Sequence, residues 1–182
     1  MEYEVMESTR EVLGQGGFSD LTLEDVAQRA DYSEPVYDYY DSPDELVTSF
    51  VKYERDRFEE FLMVTADEPA PRLRALLDVT VDLTDAEDDD LLPAYLEMYA
   101  RAQENEALRS ALLSFDSAIL DALVETIEAG IETGAFRDVD PEETATMIFA
   151  AHESSLIRKA VDADTAPIKD SLDEFVLSEL RQ

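Results

Sequence analysis

The chain contains no cysteine, which excludes disulfides and thiolate metal sites. Lysine is almost missing: Lys52, Lys159 and Lys169 are the three present. A single histidine, His152, stands without a second ligand at zinc spacing, so no metal centre is expected. One histidine also leaves little from which to assemble a nucleophile and base, and no phosphate-cradling loop accompanies it. An enzyme is therefore not expected, nor is a cofactor. No apolar run approaches the ~20 residues that cross a bilayer. The opening MEYEVMESTR has neither the basic start nor the apolar centre of a signal peptide. Strand-like alternation and internal repeats are missing too. These absences describe a soluble, cytoplasmic, non-catalytic protein.

Acid is what the chain has in abundance. Asp and Glu number 45 against 14 Lys and Arg, a net charge of −31. At ordinary ionic strength that charge repels itself and opposes compaction. At molar salt the Debye length falls to ~3 Å and most of the repulsion is screened. The acids are spread along the whole chain instead of forming a tail, and 45% of the residues are hydrophobic, enough for a core. The pattern indicates a salt-adapted (halophilic) source. The competing reading is a dedicated acidic surface such as a nucleic-acid mimic. Composition alone argues against DNA binding.

Helix punctuation is clear. Thr22 followed by Asp25, Ser42 followed by Pro43 and Glu45, and Asp140 followed by Pro141 and Glu143 are N-terminal capping patterns. Gly16, Gly17 and Gly134, and the prolines at 69 and 71, read as turns. The spacing predicts helices over 2–15, 22–29, 34–40, 43–66, 70–84, 88–103, 105–133, 141–162 and 167–181. The first three are short and the later ones long. The segment 105–133 places Leu108, Leu112, Leu113, Phe115, Ile119, Leu120, Leu123, Ile127 and Ile131 on one face. The segment 141–162 is apolar in nearly every direction, through Met147, Ile148, Phe149, Leu156, Ile157 and Val161. A helix of that kind is covered on two sides.

The run GFSDLTLEDVAQRA, followed by Ser33, Val36, Tyr37, Tyr40, Ser42, Pro43, Asp44, Glu45 and Leu46, resembles the head of the TetR-type helix-turn-helix regulators. The later stretch GIETGAFRDVDPEETA resembles the same family's link between its seventh and eighth helices. The resemblance implies an all-α fold, with a three-helix helix-turn-helix head (1–46) joined by a long fourth helix to a helical bundle body for ligand binding and dimerisation (47–182). In such a head the second helix crosses the DNA backbone and the third enters the major groove. Transferred to this chain, Thr22 and Tyr37 would touch phosphates, Ser33, Glu34 and Tyr39 would lie near base edges or backbone, and Tyr40 would plug the head. The purely structural alternative makes Thr22 and Ser33 caps and places Tyr32, Tyr37 and Tyr40 in the core; whether Tyr37 and Tyr39 face outward stays open. Three departures stand out. Glu34 replaces a usual basic residue, Pro43 replaces a usual lysine, and the segment from Ala30 to Tyr40 is one residue short. Residues 1–50 hold 13 acids and two bases, Arg10 and Arg29. Phosphate neutralisation supplies most nonspecific DNA affinity, so operator binding is expected only at high salt.

The resemblance also implies a small-molecule pocket in the body, expected among the segments 88–103, 105–133 and 141–162. Tyr95, Tyr99, Phe115, Asp116, Met147 and His152 are its candidate ligand-binding residues. Asp116 interrupts an apolar face, where an unpaired carboxylate is costly. It pairs with an arginine, holds an amine or hydroxyl of a ligand, or sits where the helix leaves the bundle. His152 is either packed in a core or interface or in contact with ligand. The segments 141–162 and 167–181, the latter with the stripe Ile168, Leu172, Phe175 and Val176, are expected to form a four-helix homodimer interface. The leading function is a ligand-controlled, dimeric transcriptional regulator. The alternative is a TetR-fold dimer that has lost direct DNA binding and serves as a ligand- or protein-binding module.

Overall fold

The computed structural model describes residues 2–30, 33–82, 91–175 and Leu180. Among them the chain is all helical, with no strand: α1 (Glu2–Gly16), α2 (Leu23–Arg29), α3 (Ser33–Tyr39), α4 (Pro43–Val64), α5 (Pro69–Asp82), α6 (Leu92–Arg101), α7 (Glu106–Glu132), α8 (Pro141–Lys159) and α9 (Ala166–Phe175). The expected helices at 83–84, 88–90 and 176–181, and Val176 of the apolar stripe, fall outside the described residues, apart from Leu180.

The capping residues do what their chemistry dictates. Thr22 Oγ1 accepts from the Asp25 N–H at 3.1 Å, Ser42 Oγ from the Glu45 N–H at 3.2 Å, and Asp140 Oδ1 from the Glu143 N–H at 3.0 Å. Each satisfies an otherwise orphaned donor in the first helical turn. Helix α1 closes at Gly17, whose φ of +73° is the left-handed conformation glycine tolerates. The end of α8 corrects the expectation of a helix to 162. It stops at Lys159, because Asp162 turns left-handed (φ 52°) and the Ala163 N–H bonds the Arg158 carbonyl at 2.9 Å. The Arg158 guanidinium then donates to the Asp164 carbonyl, fixing the turn.

Two compact units make up the chain: residues 1–59 with 86–116, and residues 60–85 with 117–182. In the first, Met6, Leu13, Phe18, Val26, Val36, Leu46, Phe50 and Val51 join Ala94, Met98, Leu108 and Leu112 in one buried cluster. Each Val, Leu, Met or Phe side chain among them, fully withdrawn from water, contributes ~1.5–3 kcal/mol. Helix α1 packs on α2 and on α6, and α2 on α3. In the second unit Leu73, Leu76, Leu123, Ile127, Phe136 and Ile148 are buried, and α8 packs on both α5 and α9. Phe136 lies directly over Gly130, where an added Cβ would stand 1.9 Å from the ring. The apolar face expected of α7 is only partly used: Leu113 is 58% exposed, while Ala111, Ala122 and Thr126 are buried.

Candidate nucleic-acid interface and ligand site

Helix α3 is seven residues long, and its two sides differ sharply. Val36 is fully buried, and Tyr40, four residues on, packs against the head core. Residues at that spacing share a face. Tyr37 and Tyr39 consequently point outward, 54% and 64% exposed, with Asp38 exposed between them. Tyr37 is therefore a surface residue and Tyr40 a core residue. Thr22 is exposed and caps α2, its hydroxyl also donating to Asp25 Oδ2 at 2.5 Å. Ser33 and Glu34 open α3, but their side chains fall outside the described part of the structure, as does Tyr32.

Five arginines of the first unit are paired with acids. Arg10 pairs with Glu54. Arg57 reaches Glu7 at 3.2 Å and Glu54 at 3.7 Å. Arg29 holds Glu11 at 3.4 Å and Gln15 at 3.0 Å. Arg55 pairs with Asp56 at 2.7 Å, and Arg101 with Asp44 at 3.0 Å. Burial pushes the Glu54 carboxyl above its ordinary range, opposed by Arg10 and Arg57. Tyr53 donates to Glu7 Oε1 at 3.0 Å, and burial together with that bond pushes its phenol up to about 12.

The six candidate ligand residues divide between the units. In the first, Tyr99 donates to Asp116 Oδ1 at 2.9 Å, Phe115 packs on Phe58 with ring centroids 6.0 Å apart, and Tyr95 is partly buried against the core. In the second, His152 is buried with its ring 5.9 Å from that of Phe149. Met147 is 60% exposed and lines an open, mainly apolar groove of about 620 Å³ with Ile148, Ala151, Ile168, Leu172 and Phe175 of α8 and α9.

Sequence reasoning missed two residues. Glu97 and Arg101 are charged residues of α6 that no motif in the sequence singles out, yet Glu97 Oε2 accepts from the Ser19 N–H at 2.6 Å. The Arg101 guanidinium carbon sits 4.2 Å from the centre of the Phe18 ring. No local pattern marks contacts 78 positions apart.

Residues 5–49 match the family model of bacterial regulatory proteins of the tetR family, and residues 69–176 match that of the BetI-type transcriptional repressor C-terminal domain. The chain belongs to the TetR family. It is a TetR-family transcriptional regulator, with an N-terminal helix-turn-helix domain and a ligand-binding C-terminal domain. The structure of a TetR transcription regulator from Haloarcula marismortui is similar at a TM-score of 0.85 and 28% identity, over 99% of this chain and 98% of that one. A helix-turn-helix transcriptional regulator of Bacillus subtilis, YfiR, itself uncharacterized, is 26% identical over 165 residues, 88% of this chain and 80% of its own. A Saccharomonospora viridis protein solved in complex with choline shares the fold at a TM-score of 0.78 and 18% identity, over 100% of this chain and 97% of that one. No helix among the described residues is long and apolar enough to cross a membrane.

Proposed function

We propose that this TetR-family regulator binds operator DNA as a twofold dimer in concentrated salt, inside the cytoplasm of a salt-adapted cell, and answers to a small-molecule ligand. The head, residues 1–46, makes the DNA contacts, and residues 47–182 carry ligand binding and dimerisation. The observation that carries the reading is the outward pair Tyr37 and Tyr39 on α3, together with the exposed cap Thr22 on α2. Hydroxyls and helix N-termini hold phosphate without a formal charge. Ser33 and Glu34, at the start of α3, complete the assigned DNA-binding set.

The dimer uses α8 and α9. Met147 and Ile157 are 60% and 62% exposed on α8, on the side away from its buried residues Thr144, Ala145, Ile148, His152 and Ser155. That arrangement leaves these two apolar side chains for a second subunit. The ligand reading rests on Tyr95, Tyr99, Phe115 and Asp116. Aromatic faces beside a carboxylate suit an organic cation, and choline, bound by the Saccharomonospora viridis relative, is of that class.

A second reading is favoured by Asp38, exposed on the same helix as the two tyrosines. In it the head no longer touches DNA, and the dimer binds ligand or protein only. The deciding experiment is selection from random-sequence duplexes in molar potassium chloride, followed by footprinting. A sharp footprint supports the first reading. A folded dimer that enriches no sequence supports the second.

A further inference from the structure

Helix α6 makes a set of contacts with the head that the proposed DNA-binding and ligand-binding sets do not use. Glu97 Oε2 takes the Ser19 N–H at 2.6 Å. One helical turn further on, Arg101 Nη1 holds Asp44 Oδ1 at 3.0 Å while its guanidinium covers Phe18 at 4.2 Å. Asn105 Nδ2 reaches the other Asp44 oxygen at 3.4 Å. All of these residues lie within the first compact unit. Positions 97 and 101 are four apart and share one face of α6. That face meets two points that frame the helix-turn-helix: the turn after α1, and Asp44 in the first turn of α4.

The turn is shaped to receive Glu97. Gly17 is left-handed at φ +73°, and a Cβ there would stand 3.0 Å from Glu97 Oε1. Phe18 is fully buried, so the guanidinium rests on a ring that cannot swing away. The Ser19 N–H follows the end of α1, at a point where the chain has left the helix and its donor needs an external acceptor. The Arg101–Asp44 pair is half exposed on both sides and, taken alone, is weak. Its ring contact and the Glu97 bond lock the same short segment.

The geometry points to Glu97 and Arg101 as positioning residues that clamp the α1–α2 turn and the start of α4, and so fix how α2 and α3 are presented to DNA. The proposal rests on the reading of the head as a DNA-binding element. The clamp is tested separately from that reading by a reporter of the turn itself. The chain has no cysteine, so Asp20→Cys, exposed beside Ser19, takes a single spin label. The label is read by electron paramagnetic resonance in molar potassium chloride, on the full chain carrying Glu97→Ala, Glu97→Gln or Arg101→Lys. In parallel, unlabelled variants are titrated with the duplex selected by the unsubstituted protein.

Glu97→Ala should free the label and weaken duplex binding about tenfold, the equivalent of one charge-assisted hydrogen bond. Glu97→Gln keeps an acceptor for the Ser19 N–H and should restore both. Arg101→Lys, which loses the planar fork and the stacked face, should loosen the label in the same direction. Arg101→Lys is also the test if Glu97→Ala does not fold. Unchanged label mobility in Glu97→Ala, or in Arg101→Lys if the former is unfolded, overturns the proposal. So does a Glu97→Gln variant as loose as the alanine. If the unsubstituted protein selects no duplex, the DNA reading fails, and the label alone decides the clamp.

Discussion

The Tyr99 hydroxyl donates to Asp116 Oδ1 at 2.9 Å, tying the outer side of α6 to α7. The carboxylate that interrupts an apolar face is thus met by a phenol, and both groups remain partly open to solvent. A phenol bond leaves the negative charge in place. On the proposed organic-cation reading, Asp116→Asn should therefore weaken binding of a tetramethylammonium probe, measured by titration calorimetry at fixed salt, by about tenfold, in line with a partly desolvated cation contact. Tyr99→Phe should cost less, because the charge survives. Equal affinity for the probe in Asp116→Asn and the unsubstituted protein would remove Asp116 from the proposed ligand site.

Gly130 is set against Phe136 so closely that alanine has no room, with the nearest ring atom 1.9 Å from the added Cβ. The ring is 1% exposed and its own N–H bonds the Gly130 carbonyl at 2.9 Å, so it is held from both ends. Gly130→Ala should destabilise by ~3 kcal/mol through overpacking. Phe136→Ala should cost ~3–5 kcal/mol through a cavity. Denaturant unfolding in molar salt should find the double variant clearly less destabilised than the sum, because the two changes share one space.

That close approach was not readable from GIETGAF, where Gly130 passes for an ordinary helical glycine. What was readable is local. The three caps at Thr22, Ser42 and Asp140 depend on residues three apart, and their helices start where those residues require. The outward turn of Tyr37 and Tyr39 was left open, because a seven-residue helix is too short for periodicity to choose a face. Burial of Val36 decides it. Asp116 was noticed as an intruder among leucines, but Tyr99 as its partner belongs to another helix. Glu97 and Arg101 carry no local signal for the same reason, and charge alone says nothing about which distant backbone N–H it will find.

Alkaline pH offers a test of the contact between α1 and α4. Tyr53 is pushed up to about 12 by burial and by its bond to Glu7. The fold holds that proton more tightly than the unfolded chain does. Its contribution is whole below the ordinary tyrosine value of ~10, and is lost as pH rises from there through about 12. Glu54 has the same sign at the acid end: its raised value makes the fold gain stability as pH falls toward the ordinary carboxylate range. Tyr53→Phe should remove the highest-pH step from the phenolate absorbance titration and flatten the loss of stability over that window. An unchanged titration curve in the variant would show that another tyrosine carries the step.

The α8–α9 groove gives a prediction about assembly. Met147 is 60% exposed in the single chain, so a charge there should cost the subunit little. In a buried interface the same charge lacks a partner and is expensive. Sedimentation in molar salt should show the unsubstituted protein as a dimer at micromolar concentration, and Met147→Glu shifted toward monomer with unchanged helicity. A monomeric unsubstituted protein at that concentration would refute the interface.

Salt dependence decides how an acidic head meets DNA. A basic protein binds best in dilute buffer, because each neutralised phosphate releases counterions, and affinity falls steeply as salt is added. Here Arg10, Arg29, Arg55, Arg57 and Arg101 are already paired with acids inside the first unit. The outward face of α3 shows Tyr37, Asp38 and Tyr39. Phosphate should repel this surface at low ionic strength. Raising salt shortens that repulsion toward ~3 Å, while the tyrosine hydroxyls and the Thr22 cap keep their uncharged contacts. Operator binding, followed by fluorescence anisotropy, should therefore be lost in dilute buffer and rise or level off toward molar potassium chloride. Low salt also loosens an overcharged fold, so circular dichroism on the same samples must show helices intact at each point compared. Asp38→Lys removes one repulsive charge and adds one phosphate partner. It should strengthen low-salt binding and move the salt slope by about one unit toward the conventional negative sign. Steady weakening with added salt in the folded, unsubstituted protein would refute the acidic-head account. Folded dimers that bind no duplex at any salt would transfer the case to a regulator that no longer touches DNA.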